Sequence, residues 1–171
     1  MAETRSEIMR GLIQAIMDQE SDFRPDAISE DGAVGLMQVM PKYAFQYGYG
    51  VPSLAVLAEE MGFDVPAETT DAAHQLLLDP ELNERMGTEI LRGLLKDQDG
   101  NLREALTAYN MGAPDYKKWR AAGADPKKLD KEARNYASGV FENYRRMYGR
   151  ELPEFFPLAT PRARPAGLLT Q

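Results

Sequence analysis

The amino-acid sequence predicts a mostly α-helical domain, and three observations support this. Apolar residues recur at three- and four-residue spacing in several segments, as on one face of a helix. Capping residues stand just before these segments, such as Thr4 with Glu7 three residues later. At 171 residues, 43% of them hydrophobic, the chain is long enough to bury one core. We therefore expect a single helical unit.

The helical segments follow one another with a turn signal between neighbours. Asp79 and Asn101 are good N-caps, and Gly62, Gly123 and Gly149 are good helix ends. The predicted helices are, in order, 4–19, 53–61, 80–96, 102–110, 114–122 and 130–148.

The region after the first helix carries weaker signals. Asp31-Gly32 and Gly35 indicate a tight turn or short hairpin, and Pro41 suits the first turn of another helix. Residues 63–70 read as irregular chain. The one histidine, His74, lies in a poorly patterned stretch and is expected at the surface.

A change in composition marks the C-terminal part of the chain. The last 20 residues hold two arginines and four prolines, namely Pro153, Pro157, Pro161 and Pro165. Such composition is typical of extended chain or a linker. We expect a domain at 1–149 and a Pro-rich tail at 150–171 that is dispensable for activity. The tail either covers the domain surface or leads into a longer polypeptide.

Composition excludes several classes of site. The absence of cysteine excludes disulfides, thiol catalysis and Cys-ligated zinc, and one histidine excludes a His-pair metal site. A net charge of −7 argues against nucleic acid as a partner. No apolar run approaches the roughly 18 residues of a membrane helix. Acidic residues interrupt the N-terminal segment, so we expect no Sec-type export signal.

Glu20 is the strongest candidate for a catalytic group. It lies four residues after Ile16 and three after Met17, so it continues the apolar face of the first helix. Burial favours the neutral form of a carboxyl group, which a general acid requires. A structural glutamate, or one that reaches water from the helix end, is the alternative.

The residues around Glu20 form part of an ordered set of motifs. Glu20-Ser21-Asp22-Phe23 is followed by Ser29, by the run Gly32-Ala33-Val34-Gly35-Leu36-Met37-Gln38-Val39-Met40-Pro41 and later by Ala108-Tyr109-Asn110-Met111-Gly112. Over about 4–148 this set resembles the soluble lytic transglycosylase domain of the lysozyme-like superfamily. Residues 42–78 form a longer segment than that family usually has.

The resemblance implies a fold and an activity. The fold is a lysozyme-like helical domain with a short hairpin or turn segment beside the catalytic cleft. The family cleaves the β-1,4 bond between N-acetylmuramic acid and N-acetylglucosamine in peptidoglycan and leaves a 1,6-anhydro sugar. It uses no metal and no organic cofactor. Peptidoglycan glycan strands are therefore the expected partner.

The resemblance also assigns roles to particular residues. Glu20 would act as the single acid and base. The substrate-binding residues would be Ser29, Gln38, Met40, Tyr109, Asn110, Glu132 and Tyr136. Glu132 and Tyr136 match an element in the last helix, but Ala133 and Ala137 depart from its usual threonine and valine. These residues also have structural alternatives. Ser29 could be a turn residue and Gln38 an amide that bonds the backbone. Tyr109 could be a core aromatic residue and Glu132 a solvated surface acid. Trp119, Tyr47 and Tyr49 are further candidates for stacking on sugars.

The segment from Gly32 to Ala58 contains no acidic residue. Most glycosidases use two carboxyl groups, so we expect a neutral and apolar cleft wall. Glu30 and Asp31 could reach the cleft, but their position in a turn favours solvent. A neutral wall favours a transglycosylase over a hydrolytic lysozyme of the goose type. A non-catalytic module that keeps the fold is another alternative.

The expected site of action is the cell wall in the periplasm. Without an export signal, the protein would reach the wall by another route. Delivery as part of a phage virion or of a secretion assembly fits this expectation.

Overall fold

The computed structural model describes residues 4–65 and 67–158, and this part of the chain is mostly helical. Its α-helices are α1 (Arg5–Ser21), α2 (Pro41–Ala44), α3 (Leu54–Glu60), α4 (Thr70–Leu77), α5 (Pro80–Asp97), α6 (Leu102–Met111), α7 (Ala113–Ala121) and α8 (Lys131–Tyr148). A 3₁₀ turn covers Pro126–Lys128. The described residues form isolated β-bridges and no sheet. The predicted helical fold is therefore confirmed.

Helix α1 begins and ends with defined caps. The Thr4 side chain accepts a hydrogen bond from the Glu7 backbone, and the Glu7 carboxylate accepts one from the Thr4 N–H, as predicted. At the other end, Asp22 and Phe23 both have positive φ, 51° and 58°, so the chain leaves the helix sharply. The helix runs two residues further than predicted and includes Glu20 in its last turn.

The first and last helices form the most extensive helix contact of the described chain. Helix α8 packs along α1, and α6 packs against both α8 and α5. Apolar residues fill the space between them, with Leu12 and Ile16 of α1 and Val140 and Tyr144 of α8 fully buried. This arrangement brings the end of α1 close to the beginning of α8.

The turn segment after α1 contains two bridges and no regular strand. Val34 pairs with both Ile28 and Val39, and the N–H and C=O groups of Val34 and Val39 bond each other at 3.0 Å. The predicted hairpin beside the cleft is thus present in a minimal form, which we call the 27–40 turn. Helix α2 follows it directly, with Pro41 in the first turn.

Helix α4 was not predicted. The Thr69 side chain caps it by accepting from the Ala72 N–H, and Ala73 and Leu77 bury against the neighbouring α2 and α5. His74 lies in this helix and is half-buried. Tertiary packing therefore makes a helix from eight residues whose own pattern is weak.

The first part of the predicted tail packs on the domain. Leu152 and Phe156 are buried, the Phe156 N–H donates to Gly100 O at 2.7 Å, and the Leu102 N–H donates to Glu154 O at 2.9 Å. This part of the tail therefore covers the domain surface, which is one of the two alternatives given for it. The rest of that predicted tail, 159–171, lies outside the described residues. None of the described helices is long and apolar enough to cross a membrane.

Candidate active site

A cavity of about 690 Å³ opens where the end of α1, the 27–40 turn, the end of α6 and the start of α8 meet. We call it the Glu20 cavity. Its lining includes all eight residues proposed from the sequence, namely Glu20, Ser29, Gln38, Met40, Tyr109, Asn110, Glu132 and Tyr136. Residues 116 positions apart in the chain therefore share one site.

Glu20 is a half-buried carboxyl group with one strong donor. The Tyr136 hydroxyl donates to Glu20 Oε1 at 2.5 Å. Burial raises the pKa of Glu20 from 4.5 to about 7, the Tyr136 hydrogen bond opposes that rise, and the negative charge of Glu132 adds to it. A large fraction of Glu20 is consequently protonated near neutral pH, as a general acid must be.

Tyr109 lies at the end of α6 and is held by the 27–40 turn. Its hydroxyl donates to Met37 O at 2.9 Å. Burial and the nearby Glu20 charge raise the pKa of Tyr109 well above its usual value, so the hydroxyl keeps its proton. Because that one proton goes to Met37 O, the Tyr109 oxygen is left as a hydrogen-bond acceptor in the cavity lining.

Asn110 and Glu132 form a pair at the mouth of the cavity. Asn110 Nδ2 donates to Glu132 Oε1 at 3.2 Å, which links the end of α6 to the first turn of α8. Glu132 is exposed, which fits the alternative of a solvated surface acid. It also lines the cavity, and its charge raises the pKa of Glu20.

The polar residues of the 27–40 turn are partly occupied by the turn itself. Gln38 has a φ of 47°, and its Nε2 donates to Ala27 O at 3.1 Å and to Gly35 O at 2.9 Å. Only the Gln38 side-chain carbonyl oxygen therefore remains for a sugar. The Ser29 hydroxyl accepts from the Ala33 N–H at 3.0 Å, which is the turn role anticipated as its alternative.

The two methionines of the motif have separate environments. Met37 is fully buried in the core, whereas Met40 is half-buried and lines the cavity. One methionine thus packs and the other can contact a ligand.

The rim of the Glu20 cavity carries carboxylates, as the alternative for Glu30 and Asp31 allowed. Glu30 and Asp31 are exposed, as predicted, but they also line the Glu20 cavity, as does Asp115 of α7. The turn that carries Glu30 and Asp31 is held to the end of α1 by the Ser21 hydroxyl, which donates to Leu36 O at 2.9 Å. Carboxylates other than Glu20 are therefore available at this site.

Tyr43 and Asn83 have places that the sequence did not reveal, whereas Tyr47 was one of the candidates for stacking on sugars and Tyr49, another, is absent from the cavity lining. Tyr43 and Tyr47 line the cavity from the segment after the turn, and burial together with Tyr49 raises the pKa of Tyr47 to about 12. Asn83 of α5 is fully buried beneath the turn. The sequence did contain a signal for Asn83: it lies four residues before Gly87, so the amide shares the buried face of α5 with that glycine.

Trp119 has a structural environment in α7. Its Nε1 donates to Asp125 O at 3.0 Å, and its ring lies 5.9 Å from that of Tyr116. Trp119 is absent from the lining of the Glu20 cavity. Among the described residues, no group of three or more His, Cys, Asp or Glu side chains is arranged to hold a metal ion.

Comparisons with known proteins agree with this geometry. The chain is 33% identical over 113 residues to membrane-bound lytic murein transglycosylase C of Yersinia pestis, which is 62% of this chain and 28% of that protein. It superimposes on the inactive Glu-to-Gln mutant of the lytic transglycosylase Slt of Pseudomonas aeruginosa with a TM-score of 0.57 and 24% identity, over 88% of this chain and 24% of that one.

The 70 kDa soluble lytic transglycosylase of Escherichia coli gives the same TM-score of 0.57 with 26% identity, over 88% of this chain and 25% of that one. The chain thus spans about a quarter of the length of these relatives. The model of the family described as "Transglycosylase SLT domain" matches residues 1–132, which include Glu20, the 27–40 turn and the end of α6. By this match over most of its length, the chain belongs to the transglycosylase SLT domain family.

Proposed function

We propose that this protein is a peptidoglycan lytic transglycosylase that uses Glu20 as both acid and base. The observation that carries the proposal is the half-buried Glu20, whose pKa of about 7 lets it give and take a proton at neutral pH. Family membership supplies the substrate class, a β-1,4-linked glycan of N-acetylmuramic acid and N-acetylglucosamine. The relative from Pseudomonas aeruginosa is an inactive mutant in which glutamine replaces a glutamate.

In the first step, protonated Glu20 donates its proton to the glycosidic oxygen, and the bond from that oxygen to the muramyl C1 breaks. The N-acetylglucosamine unit leaves with the protonated glycosidic oxygen as a hydroxyl group. Positive charge develops at C1, and the substrate's own N-acetyl oxygen can share it. The Tyr136 hydroxyl, bonded to Glu20 Oε1, stabilises the carboxylate that this step creates.

In the second step, the C6 hydroxyl of the same muramyl ring attacks C1. Glu20 takes the hydroxyl proton, a C6–O–C1 bond forms, and the 1,6-anhydro product results. No water is consumed, and Glu20 returns to its protonated state. An attacking group held in the same ring has a large advantage over a solvent molecule.

The other lining residues would bind the sugars. We propose hydrogen bonds from the substrate to the Gln38 side-chain oxygen, to Ser29 and to Asn110, and apolar contact with Met40. Tyr136 would keep its hydroxyl proton directed at Glu20, and the Tyr109 oxygen, whose proton goes to Met37 O, would accept a hydrogen bond from the N–H of the bound N-acetyl group. Glu132 would hold Asn110 in place.

Product analysis tests the proposal. Purified sacculi are digested with the full chain, and the muropeptides are weighed before and after borohydride reduction. A transglycosylase gives muramyl ends that are lighter by one water and resist reduction. Reducible muramyl ends would instead indicate hydrolysis, with Glu30 or Asp31 at the cavity rim as the candidate base.

The catalytic unit and the delivery route are also proposals. We propose that the unit comprises the domain predicted at 1–149 together with the packed segment that ends at Leu158, because Leu152 and Phe156 belong to its core. We further propose that the protein acts on the wall in the periplasm and that a virion or a secretion assembly delivers it there. Co-purification of the chain with such particles tests this, and recovery only in the free periplasmic fraction would contradict it.

A further inference from the structure

Asn83 of α5 makes three hydrogen bonds to backbone groups beneath the Glu20 cavity. Its Oδ1 accepts from the Met37 N–H at 2.8 Å, and its Nδ2 donates to Val34 O at 2.7 Å and to Leu77 O at 2.9 Å. The side chain is fully buried. A buried amide with all these partners fixes the backbone it touches, because each lost bond would leave a polar group unpaired.

The packing around Asn83 leaves no room for a side chain at Gly35 or Gly87. A Cβ atom on Gly35, whose φ is 78°, would lie 2.3 Å from Asn83 Nδ2 and 2.9 Å from Leu77 O. A Cβ atom on Gly87, one helical turn after Asn83, would lie 2.6 Å from Met37 Sδ. The two glycines thus allow the 27–40 turn to seat directly on the Asn83 amide.

The peptide unit held by Asn83 is also the one that holds Tyr109. Asn83 bonds the Met37 N–H from below, and the Met37 carbonyl accepts the Tyr109 hydroxyl at 2.9 Å. Tyr109 and Glu20 line the same cavity. A shift of Met37 would therefore move the acceptor that sets the direction of the Tyr109 hydroxyl.

We propose that Asn83 is a positioning residue for the reaction, and that it acts through the Met37 backbone and the Tyr109 hydroxyl. The proposal rests on the proposed function, because it concerns the rate of that same site. Asn83 itself does not line the cavity and touches no substrate. A displacement of about 1 Å at a reacting group can cost roughly a hundredfold in rate.

A double-mutant cycle measures this coupling. We expect Asn83→Ala to lower kcat roughly 10- to 100-fold with little change in KM. In a Tyr109→Phe background the same substitution should change kcat less than about twofold, because the hydroxyl that it misplaces is already absent. Equal losses of kcat in both backgrounds would overturn the proposal.

Matched variants separate positioning from loss of stability. Leu94→Ala removes a buried side chain from the same helix, and it should lower the melting temperature while leaving kcat unchanged. Gly87→Ala keeps the proposal testable even if Asn83→Ala fails to fold, because the new Cβ atom would lie 2.7 Å from Met37 Cβ and would displace Met37. Gly87→Ala should lower kcat in the wild-type background and change it less than about twofold in the Tyr109→Phe background. Equal losses of kcat in both backgrounds would contradict the proposal.

A spectroscopic measurement tests the same link without activity. In protein labelled with ¹³C at tyrosine Cζ, the Tyr109 resonance is assigned by its loss in Tyr109→Phe. It should move in Asn83→Ala and stay in place in Leu94→Ala. An unmoved resonance overturns the positioning role, whereas a wild-type protein that releases no muropeptides overturns the proposed function alone.

Discussion

The Glu20 cavity and a second concavity beside α1 have nearly equal volumes, about 690 and 670 Å³, but very different linings. The second one, which we call the Arg10 groove, lies along the earlier turns of α1 and part of α5. Its lining residues are Arg5, Ser6, Met9, Arg10, Ile13, Gln14, Met17, Phe23, Glu84, Arg92 and Phe156. Volume alone therefore does not identify the site.

The difference lies in how the polar groups are held. In the Arg10 groove, Arg5 lies over the Phe156 ring and Arg92 pairs with Glu89 of its own helix, both on the protein surface. In the Glu20 cavity, the hydroxyl groups of Tyr136 and Tyr109 are fixed by Glu20 Oε1 and Met37 O. A fixed donor on a half-buried acid is a preorganised arrangement of the kind that catalysis requires, and of the two concavities only the Glu20 cavity has it.

The largest expected effect is on activity, and it distinguishes the role of the Glu20 cavity from that of the Arg10 groove. Glu20→Gln should lower the lysis of purified sacculi by at least about 10²- to 10⁴-fold, because the proton donor is lost. The matched variant Glu84→Gln neutralises the acid of the Arg10 groove and should leave lysis unchanged. Turbidity loss and a melting curve are measured for both. Comparable inactivation by the two substitutions would remove the distinction.

Glu20→Gln should also stabilise the fold, and only at high pH. The folded pKa of about 7 exceeds the ordinary value of 4.5, so the stability that comes from the protonated carboxyl is complete below about pH 4.5 and is lost as pH rises through 7. The shift corresponds to about 3 kcal/mol. We expect the variant to melt roughly 6–12 °C above the wild type at about pH 8.5.

At about pH 4, the melting temperatures of these two proteins should coincide, because both carry a neutral side chain at position 20. Scanning calorimetry across this pH range checks the expectation. A constant difference between the two proteins at every pH would show that ionisation of Glu20 is not its cause.

The neighbours of Glu20 should move the alkaline limb of the pH–rate profile in opposite directions. The Tyr136 hydrogen bond lowers the pKa of Glu20 and the Glu132 charge raises it. Tyr136→Phe should therefore shift the limb to higher pH, and Glu132→Gln should shift it to lower pH. Each profile is normalised to its own maximum, with Arg10→Ala of the Arg10 groove as the unshifted control. Parallel shifts would contradict the assignment.

The smallest expected effect is that of chelation. The described residues offer no cluster suited to a metal ion, and the proposed steps use only Glu20 and substrate hydroxyls. Lysis should be the same before and after dialysis against EDTA. Loss of activity that one added cation restores would contradict the mechanism.

The helices of the core could be predicted from the sequence because each has both a cap and an apolar stripe. α5 begins at its predicted cap Asp79, and α8 runs between Asp130 and Gly149. α4 could not be predicted, since its eight residues are short for an isolated helix and gain stability from their neighbours. The packing of Phe156 was hidden by the prolines around it.

The site could be predicted as a set of residues but not as a set of contacts. The motifs named Glu20 and Tyr136, yet nothing local in either segment states that they bond each other. Asn83 has no motif role of its own, and its three bonds depend on how the turn sits on α5. The sequence left open whether Glu30 and Asp31 reach the cleft, and in the structure both are exposed and also lie at the cavity rim.

The bond between Tyr136 and Glu20 joins the last helix to the first, across 116 positions of the chain. During translation α1 leaves the ribosome well before α8. The site therefore stays incomplete until α8 has also emerged and packed against α1. Closing so long a loop is a late event in folding. We therefore expect nascent chains, and chains truncated before α8, to lack wall-cleaving activity, so that the order of synthesis itself delays the appearance of the proposed lytic activity.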